Sequence, residues 1–386
     1  MNNKDSIIEY YRKNVIEKIC KEKYKTIELD PLGNPVTYKD VNGNVHKLKK
    51  DELIVPAWIQ QMKKHMRPIK KSSPKEIAED TFNLGEHLRD IFYCTKDDTS
   101  ETERDQGTLS NGGTYWEELV TYYLNMCLVN TRTVVFMQAS PFKAVQTAVT
   151  FNGMNSHSEV DVIAVTFPDS RLFTDDYRDV IKLLQKKYPI SNVNGTGLEF
   201  LYSNRIKKES TLLQRLADYL VNDNFKELGV HVLQCKTNWN DSVQIPMLWS
   251  LIYYLSRDGV TLPTGSNIRF GAGKYTLERL KDFSYSFVSV PTQNNGEYEK
   301  DLVRKSKLKN KFEKSFSETN LPVMRAHLIR GGYYWGLPKH NSINPISELL
   351  NTNLNNGHKG HILDIIENNL SSGRFSTEYS YFELFK

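Results

Sequence analysis

The chain has 386 residues, of which 39% are hydrophobic and 25% are charged, and its formal net charge at pH 7 is +5. No apolar run approaches the ~20 residues of a membrane span, and no apolar signal segment follows Met1. The mild charge excludes a histone-like binder, and the four cysteines form no Cys-x-x-Cys pair, which argues against bound zinc and against a disulfide framework. We therefore expect a soluble, cytoplasmic protein larger than one average domain.

The N-terminal part of the chain predicts two helices with a hairpin between them. Apolar periodicity favours helices at residues 6–23 and 55–66. Turn-forming residues at 31–34 and 42–44 indicate the hairpin. Basic residues cluster between positions 62 and 74. This cluster is typical of a flexible arm, which could wrap a nucleic-acid duplex or serve only as a linker.

A further helix is predicted at residues 113–124, because its apolar residues recur at the spacing of one buried face. The members of this stripe are Trp116, Leu119, Val120, Tyr123, Leu124 and Cys127. Glu117 lies beside the stripe and can point towards a neighbouring sheet. Glu118 is turned farther towards solvent. The helix therefore offers Glu117 as the better candidate for a buried acid.

Strands and helices alternate after this helix. Residues 133–137 and 147–151 are rich in the β-branched and aromatic side chains of buried strands. Asn-Gly follows the second of them, so we expect it to pair antiparallel with a strand at 159–167. Helices are predicted at 175–187 and 210–222. This order predicts an α/β protein with a mixed central sheet flanked by helices.

Two of the short apolar strands carry polar or charged side chains where Val or Ile would be expected. They lie at residues 158–165 and 230–237. Side chains alternate across a strand, so Glu159 and Asp161 share one face of the first strand, and Val160 and Val162 share the other. Burying carboxylates in a sheet costs several kcal/mol unless they are paired or bind a metal. The alternative interpretation of these polar side chains is that they lie on edge strands and face solvent.

The second of these strands has the same character. Gln234 and Lys236 share one face, and Cys235 points away. If the two strands lie side by side, an acid, an amide oxygen and a lysine surround one point. Oxygen ligands suit a hard cation such as Mg²⁺, and the lysine remains free to orient a water. The pair of strands therefore predicts a metal-dependent catalytic site.

The C-terminal part contains mixed elements. The apolar run at 246–255 predicts a buried helix, residues 285–290 a strand, and residues 343–354 and 360–369 two helices. These elements add α+β structure to the central sheet.

Two C-terminal segments could contact nucleic-acid phosphates. Residues 300–311 are rich in Lys and Arg, and as a helix they would gain affinity by counterion release. An equally good interpretation of this segment is an ordinary helix face that contacts only solvent. Residues 327–336 combine Arg330 with glycines and aromatic side chains. They form either a loop that enters a groove or a part of the core.

A glutamate on a helix, then Glu-x-Asp on one strand and Gln-x-Lys on a later strand, resembles the PD-(D/E)XK nuclease superfamily. Within it the chain looks most like a type II restriction endonuclease, over residues 113–254. The resemblance implies a restriction-endonuclease-like core and Mg²⁺-dependent hydrolysis of double-stranded DNA at a specific sequence. It also implies a homodimer that matches a palindromic site, with a cognate DNA methyltransferase encoded nearby.

Specific roles follow from this resemblance. Asp161 and Gln234 would bind Mg²⁺ through side-chain oxygens, together with the backbone carbonyl of Cys235. Lys236 would position the attacking water. Gln234 stands where the superfamily usually has an acid, which removes one negative charge from the metal site.

Two further acids are implied. Glu117 would be the helix acid and a metal ligand, and Glu159 an accessory acid that pairs with Lys236 or with an outer metal-bound water. The interval between the two motif strands is long for the superfamily, so an inserted helical segment must loop out. No Pro precedes Asp161.

The predicted organisation has three parts. Residues 1–74 form an N-terminal helix and hairpin region, residues 75–258 the nuclease core, and residues 259–386 a C-terminal region for DNA recognition or dimerisation. Two alternatives remain open at this point. One is a structure-specific or repair nuclease of the same superfamily, and the other is a DNA-binding protein whose catalytic site has decayed.

Overall fold

The computed structural model describes residues 5–20, 26–29, 35–39, 45–47, 54–94, 106–137, 140–150, 160–203, 206–236, 270–290, 333–336, 344–379 and 381–385. Its helices are α1 (Ile7–Cys20), α2 (Ile54–Lys64), α3 (Pro74–Asn83), α4 (Leu88–Tyr93), α5 (Gln106–Cys127), α6 (Lys143–Ala148), α7 (Arg171–Thr174), α8 (Tyr177–Lys187), α9 (Glu209–Asp223), α10 (Glu348–Asn351), α11 (Ile362–Ser371) and α12 (Arg374–Thr377). Short 3-10 helices lie at Ile69–Lys71, Leu84–His87, Ile190–Asn192, Glu199–Tyr202, Phe225–Glu227, Leu277–Arg279, Asn355–Gly357 and Glu383–Phe385.

The strands form one large sheet and two small ones. They are β1 (Thr26–Leu29), β2 (Pro35–Lys39), β3 (Val45–Lys47), β4 (Thr133–Met137), β5 (Val162–Thr166), β6 (Gly229–Lys236), β7 (Gly271–Ala272), β8 (Tyr275–Thr276), β9 (Asp282–Ser289), β10 (Tyr333–Gly336) and β11 (Asn344–Pro345). The small sheets are β1-β2-β3 and β7-β8.

The large sheet has six strands in the order β11-β10-β9-β6-β5-β4. Its pairs are antiparallel except that β6 and β9 run parallel along their full length. A parallel pair needs a crossover connection, whereas antiparallel neighbours do not. The predicted α/β class with a mixed, helix-flanked sheet is therefore confirmed.

The sheet separates two hydrophobic cores. On one face, α2, α3, α4, α5 and α11 form the first core together with the strand residues Val135, Val162, Ala164, Leu233, Cys235 and Val288. On the other face, α6, α8 and α9 form the second core with Val134, Phe136, Ile163, Val165, Val230, Val232 and Tyr285. Neighbouring residues of one strand enter opposite cores because side chains alternate along a strand.

Helix α5 confirms the predicted apolar stripe. Every stripe residue from Trp116 to Cys127 is fully buried in the first core. The helix is longer than predicted, because its last turns, around Met126 and Cys127, are also buried and continue the packing against the sheet.

The predicted strand at 147–151 is wrong, since residues 143–148 form helix α6. Ala144, Val145 and Ala148 are buried there, and their spacing fits one face of a helix. A short apolar run has no periodicity that separates a strand from a helix. The antiparallel partners of β5 are β4 and β6, so the predicted hairpin pairing is also wrong.

The predicted helix at 343–354 is shorter than expected. Asn344 and Pro345 form the edge strand β11, and only one helical turn follows at α10. The predicted helices at 246–255 and 300–311 lie outside the described residues.

The segment predicted as a flexible arm is folded. Met62 is fully buried at the end of α2. Ser73 caps α3 through a reciprocal capping box with Glu76, which satisfies two free amide groups of the helix start. The backbone N–H of Arg67 donates to Asp80 at 2.7 Å, and its guanidinium lies 3.4 Å from Glu76. Arg67 is thereby held by acids of α3.

Each of the three predicted regions contributes to the first core. Ile16 and Trp58 come from the N-terminal region, Leu119 from the middle one, and Leu350 and Phe382 from the C-terminal one. The boundaries near residues 74 and 258 stay predictions. Among the described residues, none of the helices is both long and apolar enough to cross a bilayer.

Candidate active site

The two strands that carry the polar motifs are direct neighbours in the sheet. Val162 of β5 pairs with Leu233 of β6 in an antiparallel register. Asp161 comes immediately before β5 and is partly exposed. Its Oδ2 accepts a hydrogen bond of 2.8 Å from the backbone N–H of Cys235. The carboxylate of the first motif is therefore fastened to the backbone of the second motif, between Gln234 and Lys236.

Gln234 is fully buried on the sheet face of the second core. Its Oε1 accepts a hydrogen bond of 2.9 Å from the hydroxyl of Tyr285 on the neighbouring strand β9. Its Nε2 is buried and has no hydrogen-bond partner among the described residues. An unsatisfied buried amide costs about 1–3 kcal/mol. The Gln234 amide is thus half satisfied, with one polar atom left for a further group.

The other members of the predicted site are described less completely. Lys236 is the last residue of β6, and its backbone pairs with Ser289 of β9. Glu159 lies outside the described residues. The strand itself begins at Val162, later than the predicted start at 158. Val160 is buried in the second core and Val162 in the first, so the two do not share a face as predicted.

Helix α5 lies on the face of the sheet opposite to Gln234. It packs in the first core with Leu233 and Cys235, whereas Gln234 alternates to the other side. Glu117 is partly exposed on this helix. A site shared by Glu117 and Asp161 would have to form around the ends of β5 and β6. The role of Glu117 stays a prediction.

The oxygen ligands present at these strand ends fit a hard cation. Asp161 supplies a carboxylate, and Gln234 supplies an amide whose orientation is open to exchange of its oxygen and nitrogen. In the exchanged orientation Nε2 would donate to the Tyr285 oxygen, and Oε1 would occupy the unpartnered position. Mg²⁺ is commonly bound by one or two protein oxygens and keeps several waters. The residues therefore fit Mg²⁺, with Asp161 as the charged ligand.

A second polar feature of the sheet was not found from the sequence. His231 of β6 is buried on the face of the first core, hydrogen-bonded through Nδ1 to Ser284 at 2.8 Å. Its Nε2 lies 3.4 Å from Thr166, whose hydroxyl is hydrogen-bonded to Thr133 at 2.8 Å. These four side chains, the polar row, cross four neighbouring strands. Burial lowers the pKa of His231 to about 4, so the imidazole is neutral near pH 7.

The sequence signal for the polar row was weak. A single histidine inside the apolar strand β6 has no motif spacing, and its partners lie on three other strands. The row is at the opposite end of β6 from Gln234.

When the chain is compared with protein-family models, with curated proteins and with solved structures, none of them matches it.

Proposed function

We propose that the chain is a Mg²⁺-dependent endonuclease that hydrolyses double-stranded DNA at a specific sequence, in the manner of a type II restriction endonuclease. The observation that carries the proposal is the hydrogen bond between Asp161 and the N–H of Cys235. It joins the Glu-x-Asp motif to the Gln-x-Lys motif at adjacent strand ends. The resemblance to the PD-(D/E)XK superfamily supplies the finer assignment, including a restriction-endonuclease-like core.

In this proposal Asp161 and Gln234 hold the cation through side-chain oxygens, with the backbone carbonyl of Cys235. Bound Mg²⁺ supplies polarisation of the phosphodiester and a lowered pKa of bound water. Lys236 orients the attacking water. The bond from the Cys235 N–H fixes the Asp161 carboxylate before substrate arrives, which avoids reorganisation during the reaction.

The resemblance also supports the remaining parts of the proposal. The enzyme would act in the cytoplasm as a homodimer on a palindromic site. A cognate methyltransferase encoded nearby would protect the host DNA. Residues that read bases come from loops, so the recognised sequence does not follow from the motifs.

A specific observation favours a second candidate, a DNA-binding protein without cleavage activity. Gln234 is fully buried, and its Oε1 already accepts from Tyr285. In this second candidate the amide is a structural link between β6 and β9. The absence of an acidic side chain at position 234 would then mean that the site no longer holds Mg²⁺, although the protein still binds DNA.

Cleavage of plasmid and phage DNA with Mg²⁺ tests the proposal. We expect discrete bands from the parent protein, and at least a hundredfold loss of rate in Asp161→Ala and Lys236→Ala, because each removes transition-state stabilisation. Asp179→Ala and Lys182→Ala are matched controls, since this exposed pair lies on α8. Both controls should cleave like the parent.

The other outcomes discriminate between the candidates. A smear of products in place of bands would indicate a structure-specific or repair nuclease. Binding of DNA without cleavage would support the decayed site. Cleavage by Asp161→Ala or Lys236→Ala within about tenfold of the parent would show that these residues are not the catalytic ones.

A further inference from the structure

A second group of potential metal ligands lies outside the candidate active site. It consists of His65, which follows α2, His87 at the end of the 3-10 helix Leu84–His87, and Asp90 in α4. One potential ligand atom from each residue lies within 4.8 Å of the other two. His87 and Asp90 are three residues apart, which brings their side chains to one side of a helical turn.

The two imidazoles of this group are stacked. Their ring centroids are 4.1 Å apart and their planes differ by 14°. Nε2 of His65 is buried and has no hydrogen-bond partner among the described residues. A neutral imidazole has one donor nitrogen and one acceptor nitrogen, and a buried one normally has a partner for each. Stacking gives the faces of the two rings a partner, but it provides no hydrogen-bond partner for Nε2 of His65.

The chemistry of the three side chains selects the kind of ion. Two imidazoles and one carboxylate bind Zn²⁺ or Fe²⁺, whereas Mg²⁺ prefers oxygen ligands and water. Of the first two ions, Zn²⁺ is the one that takes three such protein ligands and one water in tetrahedral geometry. The expectation that the chain binds no zinc rests on cysteine spacing, which has no bearing on a site without cysteine. We propose that His65, His87 and Asp90 form a Zn²⁺ site with three protein ligands. Asp90 is exposed, so water can reach the site and supply a fourth ligand.

Metal binding at this site requires a change of side-chain rotamers. Tetrahedral zinc with bonds of about 2.0–2.1 Å holds neighbouring ligand atoms roughly 3.3 Å apart, so the three atoms must approach one another by at most about 1.5 Å. An imidazole holds a metal in the plane of its ring, so the partly exposed His87 must also rotate out of its stack with His65. Asp90 is exposed and can follow this rotation.

Zinc at this position would join two separate parts of the first core. Met62, three residues before His65, and Leu88, next to His87, are both fully buried in that core. The ion would fix the end of α2 against the start of α4. Its effect is on stability, and it is independent of the proposed nuclease activity.

Zinc binding by the full-length protein tests the proposal. After removal of metals with a chelator, the protein is titrated with ZnCl₂ by calorimetry, and bound metal is counted after dialysis by mass spectrometry. We expect one Zn²⁺ per chain and a higher Tm with zinc. His65→Gln, His87→Gln and Asp90→Asn should each lower the zinc affinity tenfold or more. Asp90→Asn changes an exposed side chain, so it tests the site without disturbing packing.

Matched variants exclude other origins of the signal. His358→Gln removes a histidine outside the group, Cys94→Ser removes the exposed thiol, and Asp161→Ala removes the proposed Mg²⁺ ligand. All three should bind zinc like the parent. Co²⁺ should give a visible absorption band in the parent that His87→Gln lacks. Absence of stoichiometric zinc in the parent, or equal binding in the three ligand variants, would reduce the group to a stacked histidine pair.

Discussion

Gln234 distinguishes the two candidate functions, because one atom of its amide has a structural partner and the other has none among the described residues. Tyr285 occupies one side of the amide, and Nε2 is left without a partner among the described residues. A structural role needs only the Tyr285 hydrogen bond. A catalytic role needs an oxygen aimed at the cation beside Asp161.

Gln234→Glu is expected to retain cleavage and to lower the Mg²⁺ concentration for half-maximal rate. One carboxylate oxygen can still accept from Tyr285, and the other adds a hard, charged ligand in place of Nε2. Gln234→Leu is expected to be inactive. The measurement is the cleavage rate as a function of Mg²⁺ concentration.

Tyr285→Phe is the control, since it breaks the structural hydrogen bond and leaves the amide in place. Its Mg²⁺ dependence should stay close to that of the parent. A fully active Gln234→Leu protein would show that the cation is held by other groups.

At this scale the sequence predicted the polar positions but not their partners. Gln234 and Asp161 could be recognised because they interrupt apolar strands. Tyr285 could not be recognised as a partner, because β9 joins β6 only through tertiary pairing. The sequence also predicted only in part which side chains share a face of the sheet. The alternation of side chains does not hold at Val160, because this residue precedes the strand.

At the scale of elements, a buried ion pair attaches α1 to the sheet. Arg12 donates to the carbonyls of Thr133 and Thr131 at 2.9 and 2.7 Å, and its Nε lies 3.4 Å from Glu9. Both charged side chains are fully buried. Burial lowers the pKa of Arg12 and the nearby Glu9 carboxylate raises it. The pair therefore keeps the guanidinium charged inside the protein.

Arg12→Ala is expected to lower the free energy of unfolding by about 3–5 kcal/mol, because it leaves a buried carboxylate and two carbonyls without a partner. Arg171→Ala is the matched control on α7. Its side chain is 88% exposed and pairs with Asp175, so its removal should cost less than about 1 kcal/mol. Urea denaturation followed by circular dichroism measures both. Equal effects of the two variants would contradict the structural role of Arg12.

The polar row makes stability depend on pH. Burial holds the pKa of folded His231 at about 4, below its ordinary value of 6.5, while Asp282 acts in the opposite direction. Between pH 6.5 and about pH 4, His231 therefore binds a proton in the unfolded chain but not in the folded chain. The contribution of neutral His231 to stability is therefore fully present above pH 6.5 and is lost between pH 6.5 and pH 4, by about 3 kcal/mol in total.

His231→Asn should flatten this part of the pH dependence, because Asn can retain the bond to Ser284 without titrating. His358→Gln should leave it unchanged. Denaturation midpoints measured from pH 7 to pH 4 decide the matter. An unaltered slope in His231→Asn would assign the acid sensitivity to other groups.

The elements themselves were largely readable from the sequence. The helices α8 and α9 and the strands β4 and β6 were predicted close to their observed bounds, whereas α5 was predicted as a helix but is longer than expected. The error at 147–151 arose because a short apolar run fits either period. The one-turn helix α10 was overestimated, since Pro345 and the edge strand β11 interrupt the apolar pattern.

At the scale of the whole molecule, the basic segment at 300–311 lies outside the described residues, and its contact with DNA stays a prediction. Neutralising Arg304, Lys305, Lys307 and Lys311 together should reduce the log–log salt slope of binding by roughly 0.9 for each phosphate that these side chains neutralise in the parent. The cleavage pattern should not change, because phosphate contacts position the protein without reading sequence.

The measurement is binding to a short duplex across salt concentrations, with Ca²⁺ in place of Mg²⁺. The control neutralises Arg171, Lys182, Lys186 and Lys187, which are exposed on α7 and α8. It should leave the slope unaltered. If both variants keep the parent slope, the basic segment is an ordinary solvated surface, and the segment around Arg330 becomes the better candidate.

The first core contains side chains from distant parts of the sequence. Leu384 and Phe382 are fully buried in it beside Trp58 and Tyr122. During synthesis, α2 and α5 leave the ribosome long before the residues that cover them. The parts of their apolar surfaces that residues 382–385 cover remain exposed until these residues have emerged, which favours aggregation or chaperone binding. Docking of this late segment is thus the step that completes the burial of the first core in the nascent chain.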